Sequence, residues 1–357
     1  MKPLVFTGSA VAIVTPFKGG KVDFPAFDRL VAWQLQQGTD AIVVCGTTGE
    51  AATLNLEERS ALIERCVRIV DHRVPVIAGS GTNSTSSAVA LSRAAQKSGA
   101  DALLTVTPYY NKSSQNGLVR HFSTIADAVD IPLILYNVPS RTGVSCTAQT
   151  YQKLAAHPNI VGVKEASDDF DLIQETLHLC PPDFTLWSGN DSSTTAIMAL
   201  GGKGVISVAA NIVPHEMHEL TQLCLAGRFQ EAAQLQIRLH ELIGALFCEV
   251  NPIPVKAAME KLDLCGGELR PAAVHDLRSQ FAAPHARDAG LRRCGIRPVH
   301  HGIRAIFIRY SRGIRQIFTI FTIFIFHISV CASCQKASPA LVTARDLLRL
   351  HPVIVLS

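Results

Sequence analysis

The chain has 357 residues, of which 48% are hydrophobic and 17% are charged. This length and balance exclude a small disulfide-stapled scaffold and a wholly disordered chain, and they suit one large α/β barrel with an appendage. The formal net charge of +4 is unevenly distributed, because residues 1–270 hold 21 Lys and Arg against 26 Asp and Glu. The body is therefore mildly acidic, and we predict no nucleic-acid partner, since binding phosphates requires a basic surface.

Two features indicate a cytoplasmic protein. The first 17 residues, MKPLVFTGSAVAIVTPF, resemble a signal peptide in part, but Gly8, Thr15 and Pro16 interrupt the apolar stretch and no small-residue cleavage site follows. We interpret this stretch as a first buried strand. Most of the 10 Cys stand singly within apolar runs, which is typical of buried free thiols in a reducing compartment.

Short apolar runs alternate with longer amphipathic segments along the chain. The predicted strands are Ser9–Val14, Ala41–Cys45, Pro75–Ala78, Ala102–Val106, Pro132–Tyr136, Ile160–Lys164, Thr185–Trp187 and Gly204–Val208. The predicted helices between them are Phe24–Gln37, Leu56–Val70, Ser86–Ser98, Gly117–Val129, Ala148–Ala156, Phe170–Cys180 and Ser193–Leu200. Runs that are apolar on both faces, such as Ile42-Val43-Val44, are typical of a parallel sheet covered by helices.

Eight such units predict an α/β fold, a closed (β/α)8 TIM barrel over residues 1–212. A doubly wound open sheet is the alternative, but Gly79-Ser80-Gly81 lacks the third Gly of its nucleotide-binding turn. Further helical patterns near Pro214–Ala226, Phe229–Cys248 and Pro254–Leu262 predict a small C-terminal helical appendage over residues 213–270.

Residues 271–357 form an atypical tail in which the amphipathic pattern stops and Arg becomes frequent, and we predict that it is poorly ordered. The run Ile317–Cys331 has 15 residues, fewer than the roughly 18–20 needed to span a bilayer. Its Phe, Ile and Thr composition favours β-aggregation over a spanning helix. We expect no membrane partner, with peripheral attachment of this run as the alternative.

Polar residues at the carboxyl ends of the predicted strands are the candidates for chemistry, because active sites of parallel barrels form there. Lys164 closes the wholly apolar run that begins at Ile160. Burial at that place would lower the pKa of its amine, as a nucleophilic Lys requires. The alternative is a Lys164 paired with Glu165 or another carboxylate.

Other strand ends carry groups that suit a small carboxylic acid substrate. The turn Gly46–Gly49 offers two hydroxyls and free backbone N–H groups, although a plain βα turn looks the same. Tyr110 and Tyr136 have hydroxyls that can transfer protons, unless they only pack. Arg141 can bind a carboxylate through two donors, unless it is a solvated loop residue.

Six ordered motifs make the chain resemble the pyruvate-dependent class I aldolase superfamily, and within it the dihydrodipicolinate synthase family. The motifs are GTTGE at 46–50, TVTPYYN at 105–111, LYNVPSRTG at 135–143, GVKEAS at 162–167, GVISV at 204–208 and NPIPVK at 251–256. The resemblance extends from about Phe6 to Arg270 without a large gap. Beyond that point, Pro271 onward does not match the helix with which family members end.

The resemblance implies a Schiff-base reaction with four catalytic residues. Lys164 matches the residue that forms an imine with pyruvate. Thr47, Tyr110 and Tyr136 match the proton relay, with Tyr110 reaching across from a neighbouring subunit. We therefore expect a homotetramer, arranged as a dimer of dimers. The protonated imine itself withdraws electrons from the substrate, so we expect no metal and no organic cofactor.

The resemblance also implies the two substrates. Thr48 and the backbone of Ile206 match the groups that hold the pyruvate carboxylate, and Arg141 matches the group that receives the carboxylate of L-aspartate 4-semialdehyde. The implied reaction is their aldol condensation to 4-hydroxy-tetrahydrodipicolinate, a lyase-type step of lysine and diaminopimelate biosynthesis. The alternatives are N-acetylneuraminate lyase or a 2-keto-3-deoxy sugar acid aldolase, a catalytically silent binder, and a membrane-associated protein.

The chain departs from the family where its members bind lysine as a feedback inhibitor. Leu56 and Arg59 stand where lysine-sensitive members have His, and Ser87 stands where they have a carboxylate. We therefore predict weak or absent inhibition by lysine.

Three motifs suggest other chemistry but lack its spacing. His215-Glu216-Met217-His218-Glu219 places its His residues at i and i+3, whereas a zinc protease needs i and i+4, so we interpret it as a solvated helix face. Gly201–Gly204 lacks the P-loop spacing and is expected to lead into the eighth strand. Cys331 and Cys334 have no second pair nearby and do not predict a metal site.

Overall fold

The computed structural model describes residues 1–271, and the body of that part is a closed barrel of eight parallel strands. All the strands of this part, with β2 and β3 outside the barrel, are β1 (Gly8–Ala12), β2 (Phe17–Lys18), β3 (Lys21–Val22), β4 (Ala41–Val44), β5 (Val76–Gly79), β6 (Ala102–Val106), β7 (Leu133–Asn137), β8 (Ile160–Glu165), β9 (Thr185–Ser188) and β10 (Gly204–Ser207). β1 pairs with both β4 and β10 and so closes the barrel, while β2 and β3 form a small antiparallel hairpin. The predicted TIM barrel is confirmed.

Helices alternate with the barrel strands. They are α1 (Phe24–Gln36), α2 (Leu56–Val70), α3 (Thr85–Lys97), α4 (Gln115–Ala126), α5 (Pro139–Thr142), α6 (Ala148–Ala155), α7 (Phe170–Leu179), α8 (Thr194–Ala199), α9 (Pro214–Leu225), α10 (Phe229–Leu246) and α11 (Ile253–Lys261). Short 3₁₀ turns occur at Ala51–Thr53, Asp191–Ser193 and Ala209–Asn211.

Polar side chains fix where most of the outer helices begin. Asn55 accepts a hydrogen bond from the Glu58 N–H, and the Glu58 carboxylate accepts one from the Asn55 N–H, which makes a capping box before α2. The other side-chain caps are Asp23, Ser84, Ser114, Thr147 and Asp169. Each satisfies a backbone N–H that has no partner within its helix.

The two-residue alternation of each barrel strand divides the core into two parts. On β7, Ile134 and Tyr136 face the barrel interior, whereas Leu133 and Leu135 face the surrounding helices. Every residue of β7 is buried, which explains why this strand shows no alternation of polar and apolar residues.

Aromatic residues fill the interior at the amino end of the barrel. The rings of Phe6 and Trp187 stack with centroids 5.1 Å apart, and the Trp187 Nε1–H donates to the Phe6 carbonyl at 3.2 Å. Lys2 anchors the segment that leads to Phe6, because its Nζ donates to the carbonyls of Ala155, His157 and Ile160. The stretch that resembles a signal peptide is thus part of the barrel.

Helix α9 lies in the ring of helices around the barrel, on the C-terminal side of the predicted boundary at 212/213. It packs against β1 and β10 and lies beside α8, where the eighth helix of a barrel is expected. His218 on α9 is half-buried and its Nδ1 lies 2.9 Å from Asp40 Oδ2, so only part of this helix face is solvated. We propose that the appendage consists of α10 and α11 and begins near residue 229.

The other predicted elements agree with the structure to within about three residues, apart from two omissions. The hairpin of β2 and β3 and the single turn α5 have too few residues to show a periodic pattern. Among residues 1–271, no helix is long and apolar enough to cross a membrane. The predictions for residues 272–357, including Ile317–Cys331, fall outside the described residues.

Candidate active site

Lys164 lies inside the carboxyl end of the barrel. Its side chain is 5% exposed, and its Nζ lies 4.4 Å from the centre of the Tyr136 ring. Within the described part of the chain, no carboxylate lies at ion-pair distance from this amine. Burial lowers the pKa of Lys164 to about 8, with the charge of Asp191 opposing this shift and that of Arg141 adding to it.

Glu165 does not pair with Lys164, so that alternative interpretation is wrong. Successive side chains of a strand point to opposite faces, and Glu165 therefore projects from the barrel toward α6. Its carboxylate accepts hydrogen bonds from Asn137 Nδ2 at 2.9 Å, the Tyr151 hydroxyl at 2.8 Å and the Ser167 N–H at 2.9 Å.

Tyr136 stands beside Lys164 because the two residues are register partners on β7 and β8. Burial raises the pKa of the Tyr136 hydroxyl, while Arg141 and a hydrogen bond with the Thr47 side chain lower it in part. The phenol therefore stays protonated at neutral pH and can donate a proton beside the amine. The structure thus brings together three of the four predicted catalytic residues.

Tyr110, the fourth, stands apart from that cluster within a single chain. It follows β6, its side chain is 90% exposed, and its backbone has the left-handed φ of +71°. Such a conformation is uncommon for a residue other than Gly and costs free energy unless the surroundings fix it. An exposed Tyr in this conformation projects away from its own barrel.

Thr48 lies in the tight turn after β4, beside the buried cluster. It is 2% exposed, and its Oγ1 accepts a hydrogen bond from Asn251 Nδ2 at 2.9 Å. The turn is fixed by the Gly49 N–H donating to the Gly46 carbonyl at 3.1 Å, and by Thr15 Oγ1 donating to the Gly49 carbonyl at 2.7 Å.

The side chain of Ile206 is buried, whereas that of Arg141 is exposed. Ile206 is fully buried on β10, pairs with Ala10 of β1 and faces the barrel interior. Arg141 is exposed on α5 at the entrance, where its Nη2 donates to the Asn251 carbonyl at 3.1 Å. Asn251 therefore contacts both Thr48 and Arg141.

Two buried residues at this site were missed from the sequence. Asp191 accepts hydrogen bonds from the N–H groups of Val208 and Ala209 at 3.1 and 2.9 Å, just beyond Ile206. Asn251 is the first residue of the motif NPIPVK. The position of this motif in the sequence does not show that the Asn251 side chain contacts Thr48. The signal for Asp191 was its place shortly after an apolar run, which is the position that identified Lys164.

No group of three or more side chains in residues 1–271 is arranged to hold a metal ion.

The run Gly201–Gly204 leads into β10, as predicted, because Gly204 is the first residue of that strand. The Lys203 N–H donates to the Leu186 carbonyl of β9.

Known proteins are similar to this chain in both sequence and fold. Residues 5–280 match the sequence profile of the Dihydrodipicolinate synthetase family. The chain belongs to this family. Its resemblance to the family, first seen in six motifs, thus covers the whole barrel and the helices that follow.

Two relatives share about half of the aligned residues. A 4-hydroxy-tetrahydrodipicolinate synthase of Thermodesulfovibrio yellowstonii is 51% identical over 266 residues, which cover 74% of this chain and 91% of the relative. One of Acetivibrio thermocellus is 49% identical over 270 residues, covering 76% of this chain and 92% of the relative.

Solved structures of family members superpose closely. The dihydrodipicolinate synthase of Aquifex aeolicus is 44% identical with a TM-score of 0.76, covering 82% of this chain and 99% of that one. The Acinetobacter baumannii enzyme, solved with pyruvate, is 44% identical with a TM-score of 0.75, covering 81% of this chain and 99% of that one.

Proposed function

We propose that this protein is a lyase that condenses pyruvate with L-aspartate 4-semialdehyde to give 4-hydroxy-tetrahydrodipicolinate, a step of lysine and diaminopimelate biosynthesis. The observation that carries the proposal is the buried amine of Lys164, which has no carboxylate partner in the described part of the chain and a pKa of about 8. It lies in a barrel about half identical to 4-hydroxy-tetrahydrodipicolinate synthases. Neutral amine is the form that attacks a ketone.

The reaction begins with imine formation. The Lys164 nitrogen attacks the keto carbon of pyruvate, and the resulting carbinolamine loses water to leave a protonated imine. Tyr136 lies beside the amine and is held protonated by burial, so it supplies the proton that the leaving hydroxyl needs. Thr47 and Tyr110 complete the proton relay, and the Thr47 side chain is hydrogen-bonded to Tyr136.

Carbon–carbon bond formation follows from the same imine. Loss of a methyl proton gives an enamine, whose carbon attacks the aldehyde carbon while the aldehyde oxygen takes up a proton. The amine of the former semialdehyde then attacks the imine carbon, which closes the ring and releases Lys164. No bond to a metal is needed, since the positive imine nitrogen accepts the electrons.

Three residues hold the two carboxylates in this scheme. The Thr48 hydroxyl and the backbone of Ile206 hold that of pyruvate. Arg141, exposed at the entrance, binds that of the semialdehyde, and its Nη2 is oriented by the Asn251 carbonyl. The semialdehyde carries a carboxylate at the end opposite its aldehyde. It therefore explains a guanidinium at this place better than the aldehyde partner of a sugar acid aldolase does.

We propose a cytoplasmic homotetramer, a dimer of dimers, and the exposure of Tyr110 supports a contact between its subunits. A hydroxyl that projects from its own barrel completes a proton relay only in a neighbouring subunit. Analytical ultracentrifugation at assay concentration tests this arrangement. A fully active species that sediments as a monomer would contradict the role assigned to Tyr110.

Borohydride reduction in the presence of pyruvate tests the mechanism, because it converts an imine to a stable amine. We expect one pyruvate adduct, which peptide mapping locates at Lys164, and none in Lys164→Met. Lys256→Arg is the matched control for a second buried Lys. Absence of an adduct in the wild-type protein would refute the mechanism. Turnover with N-acetylmannosamine instead of the semialdehyde would refute the substrate assignment.

A further inference from the structure

The pair of residues next to Tyr136 and Lys164 in the strand register is polar and buried. Asn137 on β7 pairs with Glu165 on β8, directly after the pair Tyr136 and Lys164. Side chains alternate along a strand, so the first pair faces the interior of the barrel and the second faces outward. Asn137 is fully buried and Glu165 is 1% exposed.

Asn137 and Glu165 join the two strands through their side chains. Asn137 Nδ2 donates to Glu165 Oε1 at 2.9 Å and to Oε2 at 3.2 Å. Tyr151 and Ser167 donate to the same carboxylate, so it accepts from three residues. Every one of these contacts uses Glu165 as an acceptor, which matches an ionised carboxylate.

This contact lies above an irregularity in the pairing of β7 and β8. Leu133 pairs with Ile160, whereas Ile134 pairs with Gly162, so Val161 is left without a partner. Such an extra residue locally disrupts the backbone ladder. The contact between Asn137 and Glu165 therefore ties the strands together at the end where Tyr136 and Lys164 must meet.

The same amide also fixes the segment that carries Arg141. Asn137 Nδ2 donates to Ser145 Oγ at 3.1 Å, and its Oδ1 accepts from the Cys146 N–H at 3.2 Å. Ser145 and Cys146 follow α5, on which Arg141 lies. One side chain thus holds β8 on one side and the end of the entrance segment on the other.

We propose that Asn137 and Glu165 are positioning residues that set the distance between Lys164 and Tyr136 without touching substrate. This inference deepens the proposed function and rests on it. The residues that hold the pyruvate carboxylate, Thr48 and Ile206, lie after β4 and on β10. Loosening β7 and β8 should therefore slow imine formation and leave pyruvate binding nearly unchanged.

Asn137→Asp is the main test, because it places a second carboxylate against Glu165 with little change in volume. We expect kcat to fall about 100-fold, the loss typical of a misplacement near 1 Å. We expect KM for pyruvate to change less than about threefold, since ground-state binding is retained. Asn137→Ala removes the contact without adding charge and serves if Asn137→Asp does not fold.

Asn159→Asp is the matched control. Asn159 precedes the amino end of β8, and its Nδ2 donates to the carbonyls of Ala126 and Val129. The same amide-to-carboxylate change there removes hydrogen bonds far from the mouth. We expect a lowered melting temperature with kcat near that of the wild type, which separates positioning from general stability.

The double variant Asn137→Asp/Glu165→Gln exchanges the amide and the carboxylate between the strands. We expect it to regain at least about tenfold in kcat over Asn137→Asp, because an amide again donates to a carboxylate. The rate of borohydride trapping of pyruvate should follow kcat through the series.

Wild-type protein run in parallel keeps the two hypotheses apart. No adduct and no turnover in the wild type would refute the proposed function. An active wild type together with a folded Asn137→Asp or Asn137→Ala that keeps its kcat, or loses it only as much as Asn159→Asp does, would refute the positioning role. A large rise in KM for pyruvate at unchanged kcat would refute it too.

Discussion

The second buried Lys of the barrel mouth gives a sharp prediction about stability. Lys256 and Glu50 form an ion pair with Nζ and Oε1 2.6 Å apart, and both side chains are 0% exposed. Nζ also donates to the Glu268 carbonyl at 2.7 Å and lies 4.3 Å from the centre of the Phe17 ring. Glu50 ends the motif GTTGE, so it stands two residues after Thr48 in the same turn segment.

The substitution Lys256→Met keeps most of the side-chain volume and removes the ammonium. The Glu50 carboxylate is then left with the Arg270 N–H, at 3.1 Å, as its remaining donor. Removing one partner of a buried pair costs about 3–5 kcal/mol, because the other charge stays buried without compensation. We expect the free energy of unfolding to fall by about this amount.

The double variant Glu50→Gln/Lys256→Met separates the cost of an unpaired charge from the net contribution of the pair. Burial lowers the pKa of Lys256 even though Glu50 raises it in part, which indicates that desolvation of this pair is costly. Replacing both charges should therefore recover at least about 2 kcal/mol of the loss.

Urea unfolding followed by circular dichroism measures both variants, and pyruvate trapping reports on the site. Lys256→Met within about 1 kcal/mol of the wild type would refute the reasoning, since that is the range of exposed pairs. A double variant no more stable than the single one would refute the part that concerns the unpaired carboxylate.

Four further outcomes are expected. The rate of pyruvate trapping should rise with pH and level off above about 8, because a lowered pKa makes neutral Lys164 the major form beyond that value; a flat profile from pH 6 to 9 would contradict this. Arg141→Ala should raise KM for the semialdehyde by about 10–100-fold and leave KM for pyruvate unchanged, as initial rates will show. Millimolar lysine should leave turnover intact, since Arg59 replaces the His of lysine-sensitive members and its guanidinium donates to the carbonyls of Leu54, Gly79 and Ala51. Loss of turnover in millimolar lysine would contradict this prediction. Phe6→Ala should lower the free energy of unfolding by about 3 kcal/mol with kcat unchanged, as denaturation and rate measurements on one preparation will show.

The fold could be predicted from the sequence because each barrel strand is buried on both faces and each intervening helix has one apolar face. The packing partners of α9 could not, since the amphipathic pattern of this helix does not show which element its apolar face contacts. Its packing against β1 involves residues about 200 positions apart in the chain.

The candidate site could be predicted in part for a related reason. Lys164, Tyr136 and Thr47 belong to the ends of apolar runs, and closure of the barrel necessarily brings such ends together. Asn251 lies on the segment between α10 and α11, so its contact with Thr48 depends on tertiary packing. The outward direction of Glu165 follows from strand alternation, which excludes the ion pair with Lys164 that sequence adjacency suggests.

The stacked rings of Phe6 and Trp187 obstruct the floor of the barrel. Both reactants must therefore enter, and the product and the released water must leave, through the carboxyl end of the barrel. Substrates and product therefore share one opening of the barrel, because these rings close the opposite end.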